Sequence, residues 1–211
     1  MTVRMSGKLV KGTLRWTRLI LFASAVALLG YCGFVTADAW IFQRRESRNL
    51  QRLLETASTP QAPRNFASGG LIGRLEIQRL GLSVILMEGD DARTLRRAVG
   101  HVPGTALPGQ PGNVALSGHR DTFFRPLRNI QANDTIVVTT LNGEYRYRVV
   151  STRVVAPDNV AVLNASEGEI LTLVTCYPFY YVGAAPARFV VRAERQHYSS
   201  SASSGPGGLN L

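Results

Sequence analysis

An uncharged stretch near the N-terminus divides this chain into parts that must fold in different environments. Residues 19–37 carry no charged side chain. As a helix rising about 1.5 Å per residue they would span roughly 28 Å, which is enough to cross the hydrocarbon core of a bilayer. A cleaved signal peptide is the alternative, but its apolar core is usually shorter. We therefore expect a retained transmembrane anchor over 19–37.

The charges around this stretch predict its orientation and argue against a nucleic-acid partner. Before residue 19 the chain has five basic side chains and no acidic one, namely Arg4, Lys8, Lys11, Arg15 and Arg18. By the positive-inside rule, residues 1–18 form a cytoplasmic segment and everything after Asp38 lies on the extracytoplasmic side of the cell membrane. These five residues supply half of the formal net charge of +10. The remainder is only modestly basic, and we expect no binding of nucleic acid.

The two cysteines of the chain have different expected roles. Cys32 lies inside the apolar stretch, where bulky Tyr31 before it argues against a lipid-attachment signal. Cys176 is then the single thiol of the exported part, so no intramolecular disulfide can form there. A lone thiol in an oxidising compartment is either used or deeply buried, and this fact alone does not decide between the two.

The chain after the anchor is expected to contain a juxtamembrane region, one folded domain and a tail. Leucines at three- and four-residue spacing between 43 and 57 predict a short amphipathic helix. It is followed by a linker rich in Pro, Ser and Gly, and together they occupy 38–70. The domain is expected over 71–196, and the Ser- and Gly-rich tail 197–211 is expected to be disordered.

The folded domain is predicted to consist mostly of short strands separated by turns. Asn142-Gly143 is a strong signal for a β-hairpin. Asp90-Asp91 is placed to cap a short helix that runs to Ala98. Many short strands with one or two short helices predict a mainly-β fold, a closed or nearly closed antiparallel barrel.

Three reactive side chains fall at predicted strand ends. Cys176 ends an apolar run and is followed by Pro178, where regular strand pairing must stop. His119 follows another short strand, after Gly118, which leaves room for close approach, and Arg188 begins a third strand. Each residue alone is usually structural. Together they supply a nucleophile, a proton carrier and a fixed positive charge, which suits acyl transfer at one mouth of a barrel.

The amino-acid sequence around these three residues resembles that of a known family. Residues 71–196 resemble a sortase, and the two stretches that most resemble class D sortases are GHRDTFFRPL at 118–127 and TLVTCYPFYYVGAAPARFVVRA at 172–193. By this resemblance the fold is the eight-stranded sortase barrel. The family's nucleophile falls on Cys176, its histidine on His119 and its arginine on Arg188.

The resemblance also implies an activity and its partners. A membrane-anchored transpeptidase of this kind recognises a Leu-Pro-x-Thr-Gly or Leu-Pro-x-Thr-Ala motif near the C-terminus of a secreted protein and cuts after the Thr. The Cys176 thioester would then pass the acyl group to an amine of a cell-wall precursor or a pilin. Arg188 would stabilise the oxyanion and His119 would protonate the leaving amine. We expect no cofactor and no metal, since no ligand spacing is present.

Two other readings of the exported domain stay open. The first is a tethered β-barrel binding module in which the cysteine, histidine and arginine are incidental. The second is a cysteine protease, which forms the same acyl-enzyme but uses water as the acceptor.

Several nearby side chains are weaker candidates for a role in the site. His101 precedes Pro103 and is expected to bond a loop carbonyl, so we leave it out of the catalytic set. Asp121 can orient a side chain or cap a turn. Four aromatic residues after the cysteine can line a groove for the peptide or pack the barrel wall. These are Tyr177, Phe179, Tyr180 and Tyr181.

Overall fold

The computed structural model describes residues 7–56, 67–181 and 183–196 of the chain. The tail 197–211 and most of the expected linker lie outside the described residues.

One long helix forms the N-terminal part of the structure. Helix α1 begins at Gly7 and ends at Thr56, so the apolar stretch and the expected amphipathic segment belong to the same uninterrupted helix. Side chains of the apolar stretch are exposed, for example Phe22 and Leu29. By length and composition this helix is a candidate membrane span.

The rest of the described chain forms eight strands and one further α-helix. The elements after α1 are β1 Leu71–Ile77, β2 Leu82–Glu88, α2 Ala92–Arg97, β3 Val99–His101, β4 Asn113–Ser117, β5 Thr135–Thr140, β6 Gly143–Val155, β7 Ile170–Tyr177 and β8 Ala187–Arg195. The strands close into a barrel in the order β1-β2-β3-β4-β7-β8-β6-β5. The predicted mainly-β closed barrel of eight strands with few helices is confirmed.

Two of the strand pairs differ from the expected antiparallel arrangement. Strand β2 pairs with β3, and β4 pairs with β7, in parallel. Parallel neighbours need a connection that crosses from one end of the sheet to the other. Helix α2 supplies it between β2 and β3, and the hairpin of β5 and β6 lies within the connection from β4 to β7.

The barrel interior is filled by alternate side chains of the strands. On β7, Leu171 and Leu173 are fully buried in the core, and on β8 Val191 and Ala193 are also buried there. Neighbouring positions on each strand point to the opposite face. Burial of a leucine stabilises the fold by roughly 1.5–3 kcal/mol. The remaining side chains of β7 and β8 therefore lie on the outer face of the barrel, outside its core.

Two local predictions are confirmed, one with a shift in position. Asp91 caps α2, since its carboxylate accepts hydrogen bonds from the backbone of Arg93 at 2.8 Å and of Thr94 at 3.2 Å. The hairpin joins β5 to β6, with Thr140 paired to Gly143. The turn is therefore one residue earlier than the signal suggested, and Gly143, at φ 138°, begins the strand.

The second half of α1 packs against the barrel beside α2. The Gln43 side chain donates to the Arg97 carbonyl at 2.6 Å and accepts from the Ile85 backbone at 2.9 Å. The Arg97 guanidinium binds Asp38 at 2.8 and 3.2 Å, and Leu50 is fully buried. We call this set of contacts the helix seat.

Candidate active site

Cys176 lies on the outer face of β7 at the end of that strand. Thr172 and Val174 share this face, while Leu173 and Thr175 point inward and are buried or nearly so. Strand β7 stops one residue later, before Pro178, whose nitrogen carries no hydrogen to donate. The Cys176 side chain is free and half-buried. The strand therefore holds the sulfur in place and the following loop leaves it accessible.

Arg188 lies directly beside Cys176 on the neighbouring strand. The two residues are register partners in the antiparallel pair of β7 and β8. Side chains of such partners project from the same face with Cβ atoms about 5 Å apart. The Arg188 guanidinium is half-buried and donates to the backbone carbonyls of Ala187 at 3.1 Å and Ala185 at 3.4 Å. A positive charge is thus restrained on the strand that neighbours the one carrying the thiol.

His119 comes to the same end of the barrel from the other side of β7. In the parallel pair of β4 and β7, Ser117 is the partner of Val174. The alignment continues beyond the strand, because the Gly118 backbone donates to the Val174 carbonyl at 3.2 Å. The Thr175 hydroxyl donates to the Gly118 carbonyl at 2.7 Å. His119 follows at the level of Cys176, and its side chain is exposed.

A glycine is required immediately before this histidine. A Cβ atom at Gly118 would lie 2.7 Å from the ring of Phe124, and Phe124 is fully buried in the core. The backbone of the His119 loop can therefore lie close to the core only without a side chain at position 118.

The three predicted residues therefore lie on the neighbouring strands β4, β7 and β8 or directly after them, at one end of the barrel. Neither the Cys176 thiol nor the His119 imidazole forms a hydrogen bond with another described residue. Both groups are free to contact a substrate. The arrangement can present a nucleophile, a proton carrier and an oxyanion-binding group to one carbonyl.

The aromatic residues after Cys176 divide into two groups. Tyr177 and Phe179 pack with Phe189, at ring-centroid distances of 6.1, 6.3 and 5.3 Å for the three pairs. Tyr180 and Tyr181 are exposed. The first group packs the barrel wall, and the second is available at the mouth of the site.

The two other titratable candidates have structural partners. His101 is buried, and both of its ring nitrogens are occupied: Nδ1 lies 2.8 Å from the Glu88 carboxylate and Nε2 lies 2.9 Å from the Ala106 carbonyl. With both ring nitrogens bonded, His101 has none free for a proton transfer to a substrate. This agrees with leaving it out of the catalytic set. Asp121 is largely exposed and lies 3.4 Å from Nε of Arg120.

Sequence reasoning missed Arg120, which is buried beside His119 and binds three backbone carbonyls of the loop after Cys176. The signal available was only its place between His119 and Asp121, and arginines are usually exposed.

Two pKa shifts of the domain follow from an ion pair and from burial in the core. The Arg79 guanidinium, bonded to both carboxylate oxygens of Asp134, lowers the pKa of that carboxyl below its ordinary value. Burial raises the pKa of Tyr147 to about 12. Within the part of the chain that the structure describes, no group of three His, Cys, Asp or Glu side chains is arranged to hold a metal ion.

Comparison with known proteins identifies the family to which this barrel belongs. A family model described as a sortase domain matches residues 75–196. Sortase D of Bacillus subtilis (strain 168) is 32% identical over 193 residues, which cover 84% of this chain and 96% of that relative.

Solved structures with the same barrel include two from Clostridium perfringens. The sortase D5 transpeptidase matches with a TM-score of 0.62 and 25% identity, over 72% of this chain and 98% of that one. Sortase C, solved with the C-terminal cell wall sorting motif, matches with a TM-score of 0.58 and 27% identity, over 76% of this chain and 89% of that one. With the barrel, the family model and these relatives in agreement, the chain belongs to the sortase family of cysteine transpeptidases.

Proposed function

We propose that this sortase cleaves a Leu-Pro-x-Thr-Gly or Leu-Pro-x-Thr-Ala motif after the Thr and that Cys176, His119 and Arg188 perform the reaction. One observation carries the assignment: Arg188 is the direct cross-strand partner of Cys176, and His119 reaches the same level from the other side of β7. The substrates are secreted proteins with the motif near the C-terminus. A sortase C of this fold, solved with the C-terminal cell wall sorting motif, supports this substrate class.

In the first half-reaction the Cys176 thiolate attacks the carbonyl carbon of the Thr residue. The carbonyl electrons move to oxygen, where the Arg188 guanidinium donates hydrogen bonds to the oxyanion. As the tetrahedral intermediate collapses, the C–N bond breaks and the His119 imidazolium gives its proton to the departing amine. The products are a thioester on Cys176 and a free peptide amine, and His119 is left neutral.

In the second half-reaction an incoming primary amine attacks the thioester. Neutral His119 accepts the proton of the attacking nitrogen, Arg188 again binds the oxyanion, and the Cys176 thiolate leaves. A new amide bond replaces the thioester, so the bond energy of the original peptide is conserved. We propose that the amine belongs to a cell-wall precursor or a pilin. Water in place of the amine would give hydrolysis.

We further propose that the apolar half of α1 anchors the enzyme in the cell membrane. Residues 1–18 would form the cytoplasmic segment and 19–37 the single span, as the charge distribution favours. Residues 38–70 would connect it to the catalytic domain 71–196 on the extracytoplasmic side. The exposed apolar surface of α1 supports this assignment, because no other part of the described chain covers it.

The test uses full-length protein in detergent micelles and a library of peptides carrying variants of the motif. We expect the wild type to gain the mass of the peptide up to its Thr, and Cys176→Ala to gain nothing. Adding hydroxylamine or a primary amine should accelerate turnover if transfer is the real reaction. Turnover that no amine accelerates would favour a hydrolase, and an intact thiol that never reacts would favour a binding module.

A further inference from the structure

Arg120, the residue after His119, is a charged side chain buried at the site. Only 6% of its surface is exposed, and a buried charge is tolerated only where hydrogen-bond partners compensate for lost solvation. Nη1 donates to the Pro178 carbonyl at 2.8 Å. Nη2 donates to the carbonyls of Tyr181 at 2.5 Å and Gly183 at 3.3 Å.

All three carbonyls belong to the loop that joins β7 to β8. This loop begins after Tyr177, the neighbour of Cys176, and leads to β8, which carries Arg188. The guanidinium therefore ties the His119 loop to the segment between the two other proposed catalytic residues. Hydrogen bonds from a charged donor are stronger than hydrogen bonds between neutral groups.

A second link joins the same two segments farther out. Arg128, in the 3-10 turn Arg125–Asn129 of the His119 loop, donates to the Tyr180 hydroxyl at 2.7 Å. Its guanidinium carbon lies 5.6 Å from the centroid of the Tyr180 ring. Because Tyr180 is 77% exposed, this outer link is screened by water and contributes less than the buried one.

We propose that Arg120 is a positioning residue that holds the β7–β8 loop against the His119 loop and so fixes the width of the substrate mouth. The inference rests on the proposed function of Cys176, His119 and Arg188. A peptide carbonyl must sit between sulfur, imidazole and guanidinium to within a fraction of an ångström for efficient reaction. The Arg120 hydrogen bonds keep the substrate mouth at the width that this geometry needs, whereas a loosened β7–β8 loop would widen the mouth.

The proposal explains the choice of arginine over lysine at this position. Three carbonyls of different residues are reached from two separate nitrogens of one planar group. A lysine ammonium has its donors on a single atom and cannot span the same acceptors. The Arg120→Lys variant therefore keeps the charge and removes the link.

The experiment compares Arg120→Lys with the control Arg195→Lys in the full-length protein. Arg195 is also mostly buried, and it binds Glu169 at 3.3 Å and the Arg146 carbonyl at 3.3 Å, at the far end of β8. Three quantities are measured: kcat/KM for the library peptide that wild type cleaves fastest, the rate of Cys176 labelling by a small methanethiosulfonate, and the melting temperature.

We expect Arg120→Lys to lower kcat/KM by about 10- to 100-fold, as expected when charge-assisted bonds that position a substrate are lost. The labelling rate should stay within about twofold of wild type, since a small reagent needs no shaped mouth. Arg195→Lys should change the melting temperature about as much as Arg120→Lys does, while its kcat/KM stays near that of wild type.

Two results would overturn the proposal. The first is a wild-type kcat/KM in Arg120→Lys. The second is an equal fall in kcat/KM in Arg195→Lys when the two variants have the same melting temperature. If Arg120→Lys does not fold, Arg120→Gln takes its place, because a neutral amide leaves no unpaired charge in the protein and cannot span the carbonyls of Pro178, Tyr181 and Gly183. A fall of a few-fold in kcat/KM would then support the proposal, and an unchanged value would refute it. A wild type that forms no thioester on Cys176 would instead refute the proposed function.

Discussion

Replacement of Arg188 by alanine tests the proposed oxyanion site most directly. Arg188 is the register partner of Cys176, and its guanidinium is restrained by two backbone carbonyls before any substrate binds. A donor that is already in place loses little entropy on binding the transition state. Removal of one such donor typically costs about 10²- to 10³-fold in rate, or about 2.7–4 kcal/mol of transition-state stabilisation.

We therefore expect Arg188→Ala to slow thioester formation by about 10²- to 10³-fold. Arg188→Lys should fall between that variant and wild type, because it keeps the charge but loses the planar pair of donors. The assay mixes enzyme with excess peptide, quenches with acid at short times and measures the acylated fraction by intact mass.

Arg192→Ala is the matched control, since Arg192 lies four residues along on the same strand and face, opposite Thr172. It removes the same charge at a distance of roughly 14 Å along the strand. The oxyanion assignment is wrong if Arg188→Ala acylates within about threefold of wild type, or if Arg192→Ala is slowed as strongly. In the second case the effect would be one of overall charge.

Two further predictions concern stability. Gly118→Ala places a methyl group 2.7 Å from the buried Phe124 ring, so we expect it to lower the free energy of unfolding by roughly 1–3 kcal/mol; an unchanged denaturant midpoint would contradict the close approach. Arg79, with the Gln131 backbone, lowers the pKa of Asp134, so this carboxylate stabilises the fold above the ordinary pKa of about 4 and loses that contribution as the pH falls below it. Asp134→Asn should therefore melt lower than wild type at pH 7 and approach it near pH 3, and a constant difference would refute this assignment.

The barrel and the ends of its strands follow from local pattern. The run before Cys176 alternates into the core and stops at Tyr177, as the apolar residues and Pro178 predict. Asp91 caps α2 for the same local reason. Such features depend on neighbours within a few residues and can be read directly from the chain.

Features that depend on distant partners could not be read from local pattern. The parallel register of β4 on β7 places His119 level with Cys176, yet these strands are separated in sequence by a whole hairpin. The burial of Arg120 depends on three carbonyls near residue 180. The apolar stretch and the amphipathic segment form one continuous helix, whose second half is held against the barrel by the distant partners of the helix seat.

Together with the proposed membrane span, the helix seat would also determine where the reaction takes place. Asp38 directly follows the proposed span and binds Arg97. Strand β3 begins two residues after Arg97 and pairs with the end of β4 just before His119. With residues 19–37 in the membrane, as proposed, a tether that is rigid at this point would hold the catalytic mouth at one height above the lipid. Encounters with other membrane-tethered molecules would then be confined to a thin layer, where effective concentrations far exceed those of freely diffusing partners.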